Sequence, residues 1–190
     1  MRTLLAVITG TLIGVGCVPA AQPPSIDQIA PSLTQLGNGW TSNHVVVLVD
    51  QLNPTNAICN EGKGWLQAAH NVVGKRGREA YIVLRYAYGS NSALVWITRC
   101  KDPQSIGDDW GRDKETKSTL DSLPKIGEEV RFYRRDGMHN NIAFRRGNYL
   151  IDVESPSAPI EKLKQLAVLL DANLVRAQRA STPKGETPRE

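Results

Sequence analysis

The stretch from Gly127 to Leu174 constrains the fold most, because its hydrophobic period changes once and at a defined place. Val130 and Phe132 alternate with Arg131 and Tyr133, Asp136-Gly137 turns the chain, and Ile142 and Phe144 follow. Gly147-Asn148 then leads into Tyr149, Ile151 and Val153. A period of two bounded by turn residues predicts three short antiparallel strands. After Ser157, a helix cap, and Pro159, which suits a first helical turn, Ile160, Leu163, Leu166, Ala167, Leu170 and Leu174 recur at helical spacing. Such a stripe must be covered, and the preceding strands supply the sheet that covers it.

The earlier half of the chain supplies further elements. Ile26, Ile29, Leu33 and Leu36 predict a short helix interrupted by Pro31. Val45 to Val49 is an unbroken run led by β-branched residues, as in a strand covered on both faces. Trp65, Leu66, Ala69, Val72 and Val73 fall on one helical face that Gly74 to Gly77 stops. Tyr81–Tyr88 and Leu94–Thr98, joined by Gly89-Ser90-Asn91, predict a hairpin. Residues 101–123 are polar, with Ile106, Trp110, Leu120 and Leu123 as their only anchors. The fold expected is α+β: a mainly antiparallel sheet of about five to six strands packed against helices, including a long C-terminal one.

With 41% hydrophobic and 22% charged residues, the composition is globular and excludes a disordered chain or a coiled-coil rod. A net charge of +4 forces no polyanion partner, and no nucleic-acid role is expected. Leu123 to Glu129, two strands ending in Phe144-Arg145-Arg146-Gly147-Asn148, a third strand and the leucine-striped helix resemble the C-terminal half of small extracytoplasmic bacterial lipoproteins and sensor-type domains. Those have PsbP-like or related sheet-and-helix folds. The resemblance covers about a third of the chain, contains no catalytic motif and implies a binding or sensory role.

Arg2 followed by the apolar run Leu4–Val18 is too short to span a bilayer and predicts an export signal. Two routes of processing fit. Val18-Pro19-Ala20 suits signal peptidase, and Gly14-Val15-Gly16-Cys17 resembles a bacterial lipobox that would lipidate Cys17 and anchor the chain to the membrane. The expected organisation is a leader over 1–20 (1–16 if Cys17 is lipidated), a linker over 21–25, one domain over 26–179 and a flexible tail over 180–190.

Export into an oxidising compartment predicts a disulfide between Cys59 and Cys100. It would close a loop of about 40 residues and contribute about 4 kcal/mol. His44, His70 and His139 lack metal spacing, and no cofactor is expected. Gly74-Lys75-Arg76-Gly77 has the letters of a KH loop but leads into a strand, and Gly62-Lys63-Gly64 lacks the rest of a P-loop. Asp108, Asp109, Asp113, Glu115, Glu128 and Glu129 are the candidate acid and base residues, in contexts that favour solvation over raised pKa values. Trp40, Trp65, Trp96 and Trp110 could line a sugar cleft, although packing is the commoner use.

Arg131, Arg135, Arg145 and Arg146 remain as candidate ligand-binding residues. Arg131, Arg135 and Arg145 project from the face opposite Phe132 and Phe144, and guanidinium forks suit phosphate or carboxylate. The functional expectation is an exported, envelope-associated binding, assembly or sensory domain without catalysis, recognising an envelope protein or an anionic envelope component. The alternative is a secreted hydrolase whose site is assembled from dispersed residues.

Overall fold

The structure, a computed structural model, describes residues 24–110, 124–135 and 139–181. A 3-10 turn at Ile26–Ile29 precedes α1 (Leu33–Leu36), β1 (Trp40–Asp50), β2 (Ile58–Cys59), α2 (Lys63–Val72), β3 (Arg78–Tyr88) and β4 (Asn91–Cys100). Then come α3 (Gln104–Trp110), β5 (Glu129–Arg135), β6 (His139–Arg146), β7 (Tyr149–Ser155) and α4 (Ile160–Ser181). The seven strands form one antiparallel sheet in the order β2-β1-β3-β4-β7-β6-β5.

The expected α+β class holds, with seven strands in place of five or six. The strand that sequence reading missed is β2, whose two residues are too few to show a period. It exists because Val47 and Leu48 of β1 pair with Cys59 and Ile58. Pro31 does divide the first helical segment, and a Ser32–Gln35 capping box starts α1 after it. Gly89 and Ser90 form the two-residue turn of the β3–β4 hairpin, where Tyr88 pairs with Asn91. α4 reaches Ser181, and the hydroxyl at its approach is that of Ser155, which accepts from the Ser157 and Ala158 amides, rather than that of Ser157.

One face of the sheet carries the main core. Ile82, Leu84, Tyr86, Val95, Ile97, Ile142, Phe144, Ile151 and Val153 pack with Leu163, Leu166, Leu170 and Leu174 of α4 and with Ile29 and Leu36. At one end of this face, pairing aligns Asp50, Ala80, Arg99, Tyr149 and Arg146 across five strands. Ala80 stands between Asp50 and Arg99, and its single methyl leaves the Arg99 guanidinium room to reach Asp50 at 2.8 Å. Both side chains are buried, which makes the pair costly to break. Tyr149 donates to the Pro24 carbonyl and so ties the start of the domain to this row; burial pushes its phenol up to about 12.

Candidate functional site

The other sheet face is covered in two separate places. α2 lays Trp65, Leu66, Ala69 and Val72 on Val47, Val49, Tyr81, Val83 and Trp96. α3 lays Ile106 and Trp110 on Cys100, Tyr133, Ala143 and Leu150. Pairing sets polar side chains among and beside the two clusters, along a lane of two rows. Tyr133, Asn141, Glu154, Leu94, Arg85 and His44 form one row across six strands, and Arg131, Ala143, Asp152, Trp96, Val83 and Val47 form the next.

Along these rows the polar side chains are held in pairs. The Tyr133 hydroxyl donates to Asp152 Oδ2, and His139 Nδ1 lies 2.5 Å from Glu154 Oε1. Glu154 is buried although charged, so this pairing offsets the loss of its hydration. Asn141 is fully buried; its Nδ2 donates to the His139 carbonyl at 3.0 Å, while its Oδ1 has no hydrogen-bond partner. A buried acceptor left this way costs about 1 to 3 kcal/mol. Asn141 Oδ1 is thus one of the places on this face, Trp96 Nε1 being another, where the fold is held below its most stable arrangement.

At the opposite end of the lane, Glu61 accepts from Arg85 Nε and Nη2 at 2.9 and 2.8 Å and lies 2.6 Å from His44 Nε2. The Arg85 hydrogen bonds, then that of His44, hold the Glu61 carboxyl below its ordinary pKa.

The four arginines expected to gather an anion do not form one site. Arg131 and Arg145 share the open face and both turn to Glu129, at 2.8 and 3.4 Å. Arg131 is buried against Trp110, its guanidinium 3.9 Å from the ring centre, and donates to the Trp110 carbonyl. Burial pushes the Glu129 carboxyl up, but the Arg131 hydrogen bonds and the Arg145 charge outweigh it and hold the group below its usual range. Arg146 points through the other face to Asp171 of α4, with a two-pronged contact at 2.6 and 2.8 Å. The side chain of Arg135 lies outside the described residues.

The expected bridge is corrected as well: Cys59 and Cys100 are thiols, not joined to one another. Cys59 is on β2 and Cys100 ends β4, with β1 and β3 between them. Three strand spacings alone put them at least about 14 Å apart, about twice what a disulfide spans. Cys17, both processing routes, Asp113, Glu115, and the side chains of Asp108 and Asp109 lie outside the described residues. The tryptophans do not line a common cleft: Trp40 packs on Tyr86 and Tyr88, Trp65 on Trp96, and Trp110 under Arg131.

Sequence reading named none of Asp152, Glu154, Asn141 or Tyr133 as site residues. A signal was present: Asp152 and Glu154 alternate with Ile151 and Val153 along β7, which puts both carboxylates on the face away from the core. The Asn141 and Tyr133 contributions depend on strand register, which no single segment displays. Among the described residues, no group of three or more His, Cys, Asp or Glu side chains is placed to hold a metal ion, and no helix is long and apolar enough to cross a membrane.

The sequence matches no protein-family profile and no curated protein. Among solved structures, the extracellular domain of PknH from Mycobacterium tuberculosis is similar at a TM-score of 0.44 and 9% identity, over 82% of this chain and 99% of that one.

Proposed function

We propose that this chain is an exported, cell-envelope-associated binding or sensory domain without catalytic activity, and that it takes its ligand on the sheet face opposite α4. The observation that supports this most is Asn141 Oδ1, a fully buried acceptor with no partner, set among the Tyr133–Asp152 and His139–Glu154 pairs. A core built only for stability satisfies such an atom or replaces it with an apolar one. The Arg2-led apolar segment supports export.

Intact-mass measurement of the envelope fraction tests the address. A diacylglyceryl group on Cys17, or a start at Ala21 or Gln22, is the expected result; an intact Met1 in the cytoplasm overturns it. A thermal-shift panel of small molecules, run on wild type and on Asn141→Leu, tests the face: at least one stabilising compound should lose its effect in the variant.

A second reading rests on Asp152 and Glu154 themselves. They are carboxylates two residues apart on one strand face, each paired with a proton-bearing neighbour, as an acid–base hydrolase site requires. Saturable turnover of an ester, glycoside or peptide, abolished by Asp152→Asn, favours that reading over binding alone.

A further inference from the structure

Among the described residues three large apolar side chains are exposed, and two of them, Leu52 at 51% and Ile58 at 39%, belong to the connection between β1 and β2. That connection, residues 51–58, holds no charged residue in a chain that is 22% charged, and Pro54 and Ala57 within it are exposed as well. Apolar surface gathered on one uncharged loop calls for a cover in a way that scattered exposed residues do not.

The loop is held firmly at its base. Asp50 Oδ1 accepts from Arg99 Nη2 at 2.8 Å and from the Leu52 amide at 2.9 Å, so the buried ion pair also fixes where Leu52 leaves the sheet. Ile58 pairs with Leu48, whose side chain packs against the main core, and so stands on the α4 side. Preformed apolar groups lose little entropy when something docks on them.

A basic turn lies beside the loop. The Gln51 amide donates to the Glu79 carbonyl and the Lys101 amide to that of Gly77, which brings the loop, the turn of Lys75 and Arg76, and Lys101 to one end of the sheet. All three cations are exposed. Arg76 has φ +52°, where glycine or asparagine sits at lower cost, so this turn holds a cation against a backbone preference. The described carboxylates around it face inward: Asp50 and Glu79 to Arg99, and Asp102 to Ser105, with Lys101 Nζ at 3.9 Å.

The start of the domain is pinned at this same end. Asp50, Ala80, Arg99 and Tyr149 are aligned across β1, β3, β4 and β7, and Tyr149 donates to the Pro24 carbonyl. Pro24 is thereby placed about three strand spacings, about 14 Å, across from the loop's base. The seven residues from Val18 to Pro24 reach at most about 25 Å, so a lipid on Cys17 keeps this sheet end close to the bilayer. The far end of β3 is about 35 Å away. At such a reach the effective concentration of the loop at the surface is in the mM range, enough for a weak contact to persist, and an acyl chain with a basic patch is the usual pair of signals for stable attachment.

We propose that the β1–β2 loop docks on the bilayer that anchors Cys17, with Leu52 and Ile58 entering the interfacial layer and Lys75, Arg76 and Lys101 meeting anionic lipid phosphates. The inference rests on export by the Cys17 route in the reading above, adds the surface turned to the membrane, and does not draw on the ligand face. The test places the full lipidated chain on vesicles of phosphatidylcholine, with and without phosphatidylglycerol, and in detergent, and follows amide hydrogen exchange. Residues 51–58 and 74–77 should exchange about fivefold or more slowly on phosphatidylglycerol vesicles than in detergent, with the exposed Gly89-Ser90 turn at the far end of the sheet unchanged. Leu52→Asp should remove about tenfold of the protection without moving the melting midpoint, because the side chain is exposed. Leu52→Ser serves if the aspartate variant fails to fold, and Lys75→Gln with Arg76→Gln should cancel the difference between the two lipids.

Loop exchange that is the same on vesicles and in detergent, or protection unchanged in the Leu52 variants, overturns the proposal; protection equal on the two lipids overturns the part assigned to the basic turn. Intact mass separates the failures. A lipidated chain whose loop gains no protection removes this proposal and keeps the export reading, a start at Ala21 or Gln22 does the same by removing the tether, and an intact Met1 in the cytoplasm removes both.

Discussion

On the α4 side of the sheet, apolar residues from β1, β3, β4, β5, β6 and β7 join one continuous cluster, and charge is confined to the row at the sheet's end. On the other side the same strands present two smaller clusters, under α2 and under α3, with Asp152, Glu154 and Asn141 outside both. The long helix supplies an unbroken stripe, whereas two short helices cannot cover a seven-stranded sheet. A face left partly uncovered keeps polar side chains, and those are the groups that can recognise something else.

The contrast can be broken most sharply at the Asp50–Arg99 pair. Asp50→Ala leaves a guanidinium that is 1% exposed with the more distant Glu79, at 3.6 Å, as its carboxylate partner among the described residues, and should cost about 3 to 5 kcal/mol in urea unfolding. A loss below about 1 kcal/mol would mean the row is hydrated and is not part of the stable side.

Next come the packing residues. Leu166→Ala or Leu170→Ala, both fully buried on the α4 side, should each cost about 2 to 5 kcal/mol. Leu66→Ala, half-buried on the divided side, should cost clearly less by the same measurement. Equal losses would erase the distinction between the faces.

Gly127 tests the join between the faces. Its φ is +61° and an added Cβ would stand 2.4 Å from the Arg145 carbonyl oxygen, so Gly127→Ala should cost more than about 1 kcal/mol. A variant as stable as wild type would show that the turn before β5 can shift off β6.

The smallest effect is acid sensitivity at Glu61. Because Arg85 and His44 lower its folded pKa below the ordinary 4.5, its contribution is present above that value. It is lost as pH falls through the lowered folded value. The pair is partly solvated, so the contribution is below about 1 kcal/mol. Glu61→Gln should flatten that part of the stability–pH curve, and an unchanged acid limb would remove Glu61 from the account.

Much of the fold was legible because it repeats at short range. The alternation around Phe132, Phe144 and Ile151 and the leucine stripe of α4 each declare themselves within one segment, and both formed as expected. The site was less legible. Arg131, Arg145 and Arg146 were visible as charges, but their partners Glu129 and Asp171 were not: Asp171 lies 25 residues beyond Arg146, and Glu129 meets Arg145 only through the β5–β6 register. Cysteine counting paired Cys59 with Cys100 because compartment and number say nothing about strand order.

Local periodicity and turn chemistry, which depend on residues within about a helical turn or a hairpin of one another, are what the sequence determined alone: the α+β class, most strands, and the helix that closes the core. Strand order, register and the distribution of helices between the two faces were decided by tertiary structure. These arise from contacts between residues far apart in the chain, where burying one apolar face selects among many local possibilities. The same selection brought Tyr133, Asn141 and Glu154 into one row, a meeting that none of their own neighbours in sequence encodes.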